Sequence, residues 1–297
     1  MHRPVTGLSL ISLVIGALIV GTAPIFVRYA DVGPAATAFW RLAGAGIAIF
    51  LVLLITGRRA APSPGLRGSL VPIVAGAFFF ALDMWVWNAS IHMIPVARAT
   101  LFACLAPIYV ALYTVLVLKQ KMRPMVAAGC LLALTGAAFL AGPAAFGHGE
   151  GAMTGNMLAI IGGIGYAGYV IGVASARTRL GTLEVMYATS LIAALCVVPP
   201  MLIEGTILPH TTAGWVSAIG LALFCHAIGQ GLIAYALANL PVLVCSLGLL
   251  LQPVSAAILG WIIFGEIMSD IELFGATLVI SALVLVNLPS RKSVSPA

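Results

Sequence analysis

Apolar residues run through this chain in ten stretches, near 8–27, 35–56, 69–91, 95–118, 123–142, 153–176, 181–203, 211–238, 241–264 and 269–288. Each is about the length that a helix rising ~1.5 Å per residue needs to cross a bilayer. Polar residues gather in the short connections, commonly a Gly or Pro with one or two charges. The pattern predicts an all-α integral membrane protein of ten transmembrane helices. No connection is long enough to hold a separate soluble domain, so the chemistry has to lie among the helices. The first stretch follows Arg3 and has the look of a signal peptide, but it is long for that role and leads straight into the next, and it is expected to be retained.

Composition removes the soluble alternative. With 62% hydrophobic and 7% charged residues in 297, one water-exposed domain would lack the polar surface it needs. Charge then sets topology. With both termini cytoplasmic, Arg3, Arg58, Arg59, Arg67, Lys119, Lys121, Arg123, Arg177, Arg179, Arg291 and Lys292 fall inside, against Arg28 and Arg98 outside. Such asymmetry marks the cytoplasmic face. Asp31, Glu150, Glu204, Glu266, Asp270 and Glu272 show the opposite bias. The net charge of +6 is thereby assigned to topology and to anionic lipid, not to a nucleic-acid partner. No transit segment is legible, so a bacterial inner membrane is expected. Cys104, Cys130, Cys196, Cys225 and Cys245 lie in apolar runs without disulfide or metal spacing and read as packing residues.

The second half repeats the first. A shift of 146 residues lays Pro95 on Pro241, Leu105 on Leu251, Pro107 on Pro253, Met122 on Met268 and Gly129 on Gly275, and also pairs Gly68 with Gly214 and Phe78 with Phe224. Five spans per repeat is an odd number, so the second repeat enters the membrane inverted; the expected halves are 1–146 and 147–297. Inverted repeats typify secondary transporters, with the substrate held near the midplane and access alternating between the two faces. Pro107 and Pro253 fall inside the fourth and ninth spans, where each withholds one backbone hydrogen bond. A paired kink is expected there, acting as a hinge or simply shaping the bundle. Gly16, Gly21, Gly44, Gly46, Gly162, Gly163, Gly165 and Gly168 would allow helices to approach closely.

These features resemble the drug/metabolite transporter superfamily, in its ten-span, two-repeat EamA form. The resemblance rests on Asn88-Ala89 followed by Pro95 and Pro107, on Leu240-Pro241 followed by Pro253, and on Phe264-Gly265-Glu266. It covers essentially the whole chain, although Gln120 stands in the first half where Glu266 stands in the second. Within the group the chain is most similar to the YddG-like aromatic amino acid exporters, with Tyr166 as the central aromatic of the sixth span. The resemblance implies export of small metabolites; relatives carry amino acids, purine-type compounds, drugs or sugar phosphates.

Asp83 is the one acidic residue deep in a predicted span, where a carboxylate is costly. It would contact a substrate ammonium, carry a proton, or be bonded structurally to its neighbours. His226 and Gln230 are four apart on the eighth span and share a face, while Gln252 precedes the kink proline. Trp40, Trp85, Trp215 and Trp261 read as interfacial anchors, with Trp87, one turn from Asp83, assigned to the site. Tyr166 and Tyr169 lie in a glycine-rich helix with room for a ligand, and Tyr109 lies beside Pro107. An aromatic-lined pocket favours aromatic or aliphatic cargo. Arg41, within or at the end of the second span, and Arg98 are placed near the outer span ends, where either would attract an anionic group or snorkel to lipid phosphate in a structural role. The candidate substrate-binding set is therefore Asp83, Trp87, Tyr109, Tyr166, Tyr169, His226, Gln230 and Gln252.

The reading is an inner-membrane exporter of amino acids, aromatic ones first, working by alternating access as a monomer among lipids. No cofactor or metal is expected. No Walker A sequence points to ATP use, and neither H-E-x-x-H nor G-x-S-x-G supports the rival of an intramembrane enzyme. A broader metabolite, drug, purine or sugar-phosphate carrier is the alternative within the same fold.

Overall fold

The computed structural model describes residues 7–57, 65–103, 105–119, 121, 124–141, 151–249, 251–267 and 269–287. Arg3, Arg58, Arg59, Cys104, Gln120, Met122, Arg123, Glu150, Met268, Arg291 and Lys292 lie outside the described residues, as do the side chains of Arg67, Pro107 and Glu272. Every described element is helical. The first apolar stretch is two helices, α1 (Gly7–Val20) and α2 (Ala23–Tyr29), parted by a turn at Gly21 and Thr22. α3 (Pro34–Ile55) and α4 (Gly65–Ile91) are continuous. Then come α5 (Val96–Ala103), α6 (Ala106–Leu116) and α7 (Pro124–Ala141). The second half holds α8 (Ala152–Ala176), α9 (Thr182–Cys196) and α10 (Val198–Glu204). α11 (Thr212–Ile219) runs through a π-helical segment (Gly220–Gln230) into α12 (Gly231–Leu237), followed by α13 (Val242–Gly248), α14 (Leu251–Phe264) and α15 (Asp270–Asn287).

Several interruptions have a cause in the sequence. Pro199 and Pro200 open α10, where the missing N–H groups fit a first turn but cannot continue α9, and the two helices bend by 40°. The expected proline kinks appear as breaks: α5 stops before the turn leading to Pro107, and Gln252 N donates to Leu249 O (2.9 Å) just ahead of Pro253. The π winding of Gly220–Gln230 was not anticipated, and nothing in the local sequence explains it.

Six helical stretches are long and apolar enough to cross a membrane, or seven if the bent α9–α10 pair is one span. The sequence pattern predicts ten. The difference falls at the fifth, ninth and tenth stretches, where the apolar helical runs Pro124–Gly136, Leu251–Phe264 and Leu273–Ala282 are shorter.

α4 packs along α8, α7 along α15, and α3 against α9 and the π segment; α1 lies on the π segment and α12. Glycine makes the α4–α8 approach possible. A Cβ at Gly165 would stand 2.7 Å from Phe79 O, and one at Gly172 would stand 2.7 Å from Pro72 O. Between helices in lipid, such close van der Waals packing replaces the hydrophobic drive that is missing there. It also presses Asp83 against α8, since a Cβ at Gly162 would lie 3.2 Å from Asp83 Oδ1. Outward, Ile55, Val71 and Ile203 are 85%, 79% and 86% exposed, a surface suited to lipid. Inward, Arg41, Asp83, His226, Gln230 and Gln252 are all buried.

Candidate functional site

All of those buried polar residues except His226 line a cavity of about 20 Å³. α1 contributes Val20, α3 Arg41, α4 Phe80, Asp83, Met84 and Trp87, and α5 Thr100 and Ala103. The second half contributes Tyr166 from α8, Gln230 from the π segment and Gln252 from α14. Five of the eight residues expected from sequence thus line one space: Asp83, Trp87, Tyr166, Gln230 and Gln252. The volume suits about one water, whereas small-molecule pockets run to roughly 300–1,000 Å³. The space is far smaller than such a pocket.

Arg41 is the residue that sequence reasoning misjudged. Of the two readings its position allowed, attracting an anionic group or snorkelling to lipid phosphate, the second does not hold. α3 begins at Pro34, so Arg41 sits two turns inside the helix, 1% exposed. Its Nε and Nη1 have no hydrogen-bond partner. Asp83, 3% exposed, lines the same cavity and is among the charges that act on Arg41. The two do not touch: among the described residues the contact ion pair is Arg28 with Glu266, at 3.2 Å.

The second-half wall is neutral and tied to itself. Tyr166 Oη accepts from Gln252 Nε2 (3.3 Å) and from Gln230 Nε2 (3.4 Å). Tyr166 stacks with Tyr169 at 6.0 Å between centroids, Tyr169 with Phe80 at 4.0 Å, and Phe80 with His226 at 5.4 Å. This aromatic column runs behind the cavity and joins both halves. Tyr169 and His226 belong to the column, not to the lining; Tyr169 Oη donates to Met186 Sδ (3.7 Å), and His226 Nε2 shares a 2.8 Å hydrogen bond with Ser190 Oγ. Tyr109 is half-buried against both core clusters, away from the cavity. Trp87 Nε1 is buried without a partner. Phe80, Met84, Thr100 and Val20 were not singled out by sequence, because apolar or small residues in apolar spans give no signal of their own.

One end of the bundle is fastened by three carboxylates that cross between the halves. Asp31 accepts from the amides of His210 and Thr211 and from Thr211 Oγ1 (2.7 Å). These hydrogen bonds, that from the Thr211 hydroxyl foremost, hold the Asp31 carboxyl below the usual carboxylate range. Glu204 accepts from Ala35 N and Trp85 Nε1, both at 2.8 Å. Glu266 pairs with Arg28 and accepts from Val96 N at 3.1 Å. At the opposite, basic end Arg179 Nη1 donates to Gly68 O at 2.8 Å.

A larger concavity of about 440 Å³ opens sideways between α5, α14 and α15 and is lined by Leu101, Val254, Ile258, Trp261 and Ile280 among others. Of the expected residues it touches Pro253 alone, and its apolar walls match lipid, not a polar solute. Among the described residues, no three His, Cys, Asp or Glu side chains come together to hold a metal ion.

An apolar helical bundle with a polar, aromatic-backed cavity at its centre is the build of a membrane transporter for small molecules. The EamA-like transporter family model matches residues 7–142 and again 153–288, and the chain belongs to that family. It is 24% identical over 276 residues to an uncharacterized transporter of Archaeoglobus fulgidus, covering 92% of this chain and 94% of that protein. A solved crystal structure of another protein, 18% identical, superposes with a TM-score of 0.72 over 94% of this chain and 96% of its own. That last likeness is one of fold.

Proposed function

We propose that this EamA-family transporter is a ten-helix exporter of amino acids, aromatic ones first, working by alternating access between two inverted five-helix repeats, 1–146 and 147–297. The observation that carries the reading is the central cavity, whose lining is divided between the two family-matched segments. Both segments are related by a shift of 146 residues, from 7 to 153 and from 142 to 288. The same shift carries α7 onto α15 and sets the α5–α6 break on the α13–α14 break. It also relates Phe80 to His226, which stack on each other, and Gly16 against Gly229 O (2.8 Å from a Cβ) to Gly162 against Asp83. Equivalent residues meeting each other support a pseudo-two-fold axis through the aromatic column.

In this reading the helix breaks before Pro107 and Pro253 are the hinges, and rocking of the repeats widens the small cavity to admit cargo. Tyr166, Tyr169, Phe80 and Trp87 supply an aromatic surface for the side chain. Tyr109 and His226 act from the flanks, and Gln230 and Gln252 hold Tyr166 in place. The YddG-like resemblance gives export as the direction. The basic end faces the cytoplasm of a bacterial inner membrane, with both termini inside, a placement supported by the Lys/Arg asymmetry. The working unit is a monomer in lipid.

Counterflow in proteoliposomes tests the reading. Vesicles preloaded with unlabelled phenylalanine are expected to take up labelled phenylalanine saturably, with inhibition by other amino acids and none by a purine or a sugar phosphate. Exchange of a purine or sugar phosphate in place of phenylalanine would overturn the amino-acid assignment and leave the transporter fold intact.

A further inference from the structure

Two ionisable side chains of opposite type face one buried space without meeting each other. Arg41 enters from α3 and Asp83 from α4. Arg41 Nε and Nη1 are unpartnered, and Asp83, 3% exposed on the same cavity, forms no contact ion pair with Arg41. The glutamines nearby, whose Nε2 groups donate to Tyr166, are neutral and carry no charge to balance either group. Burial of an unpaired charge is costly, and more so at membrane depth. An occupant that satisfies both groups at once relieves that cost; one that satisfies a single group does not. An organic anion at Arg41 would sit against Asp83, and an amine at Asp83 would sit against Arg41. A molecule with a carboxylate and an ammonium on one carbon pairs both and brings no net charge into the membrane. The planar guanidinium fork also matches a carboxylate in a two-bond arrangement that lysine cannot reproduce.

We infer that Arg41 is the carboxylate anchor and Asp83 the ammonium anchor of the central cavity, so the cargo is an α-amino acid with both ends free. The inference rests on the exporter reading above and adds to it a residue and a rule of selection. The side chain then lies toward Tyr166 of the second repeat and Trp87 of the first, and the two charged ends lie toward Arg41 and Asp83.

The test uses full-length protein in proteoliposomes and measures inhibition of phenylalanine counterflow. In the unaltered protein, phenylalanine, tyrosine and leucine are expected to compete. Phenylalanine amide, N-acetylphenylalanine, phenethylamine and 3-phenylpropionate are expected to compete at least about tenfold more weakly, the scale of one lost charged contact. Arg41→Gln should raise the half-saturating phenylalanine concentration at least about tenfold and narrow the gap between phenylalanine and phenethylamine. Asp83→Asn should do the same for 3-phenylpropionate, and Arg41→Lys should fall between unaltered protein and Arg41→Gln. Equal competition by the blocked analogues in the unaltered protein overturns the inference without any variant having to fold. So does an unchanged half-saturation in folded Arg41→Gln and Asp83→Asn, with the exporter reading intact. Absence of amino-acid exchange in the unaltered protein, alongside exchange of another solute, removes the reading and the anchors together.

Discussion

The two repeats build one cavity from unlike chemistry. At positions related by the 146-residue shift, Arg41 corresponds to Tyr187 and Asp83 to Gly229, while Tyr166 corresponds to Val20 and Gln230 to Met84. The first repeat therefore brings the charged groups, and the second brings the neutral amides and the phenol. The backbones are related; the lining is not. On the proposed reading, duplication supplies two frames to rock against each other, and divergence within them leaves the charged groups to one frame while both contribute aromatic surface. The tight helix contacts reverse roles as well. On α8, Gly165 yields to the backbone of α4; at the related contact, Gly229 of the π segment yields to Ile19 of α1, 2.7 Å from its Cγ2.

That reversal gives the largest expected effect. Gly165→Leu drives a side chain into Phe79 O, a carbonyl that cannot rotate away, and should abolish phenylalanine exchange and lower the yield of folded protein. Gly229→Leu meets side-chain carbons of Ile19 and Val20, stiff at χ1 but not a backbone carbonyl, and should cost less, about 1–3 kcal/mol of stability. Thermal unfolding of the two purified variants decides it, and equal losses would make the helix contacts equivalent in kind.

Next comes the phenol. Tyr166→Ala should raise the half-saturating phenylalanine concentration about tenfold through lost apolar contact. Tyr166→Phe should raise it only severalfold, since each glutamine amide it frees was worth about 1 kcal/mol. Unchanged kinetics in Tyr166→Ala would remove the second repeat from substrate contact. Smaller still is Glu266→Gln, which removes the partly exposed ion pair to Arg28, a contact of about 0–1 kcal/mol. Exchange should quicken up to about twofold at low salt and converge with the unaltered protein at high salt.

Asp31 should give the smallest change, and its sign follows from its lowered proton affinity. A carboxyl lowered in the folded state stabilises above its unfolded value and loses that contribution as pH falls through the folded value. The Asp31 link to Thr211 should therefore persist through the ordinary carboxylate value of about 4 and fail below it. Asp31→Asn should be indistinguishable from unaltered protein at the acid end and slightly less stable at neutral pH, measured as unfolding temperature against pH.

Much of this site was legible because polar residues are conspicuous in apolar spans. Asp83, Gln230 and Gln252 stood out for that reason, and Trp87 and Tyr166 by their company. Arg41 was hidden by its orientation. The start of its helix was expected at 35 and lies at Pro34, so depth was legible; what the sequence left open was which way the guanidinium faces, because an arginine stem longer than one helical turn of about 5.4 Å can reach either the interface or the centre of the bundle. Phe80 and Met84 carried no signal alone, although the repeat shift would have pointed from His226 and Gln230 to both. The helix breaks followed from Pro107, Pro199 and Pro253, whereas the π winding had no such marker. The division of a stretch was harder to read than its existence: the first, fourth, seventh and ninth each hold two helices, α1 and α2, α5 and α6, α9 and α10, and α13 and α14.

The three carboxylate crossings at the acidic end tie different parts of the halves together: Asp31 joins the α2–α3 connection to the start of α11, Glu204 joins the end of α10 to α3 and α4, and Glu266 joins the α14–α15 connection to α2 and α5. In the proposed alternating-access cycle this end then opens as a unit, because the loss of any one link leaves two others joining the halves.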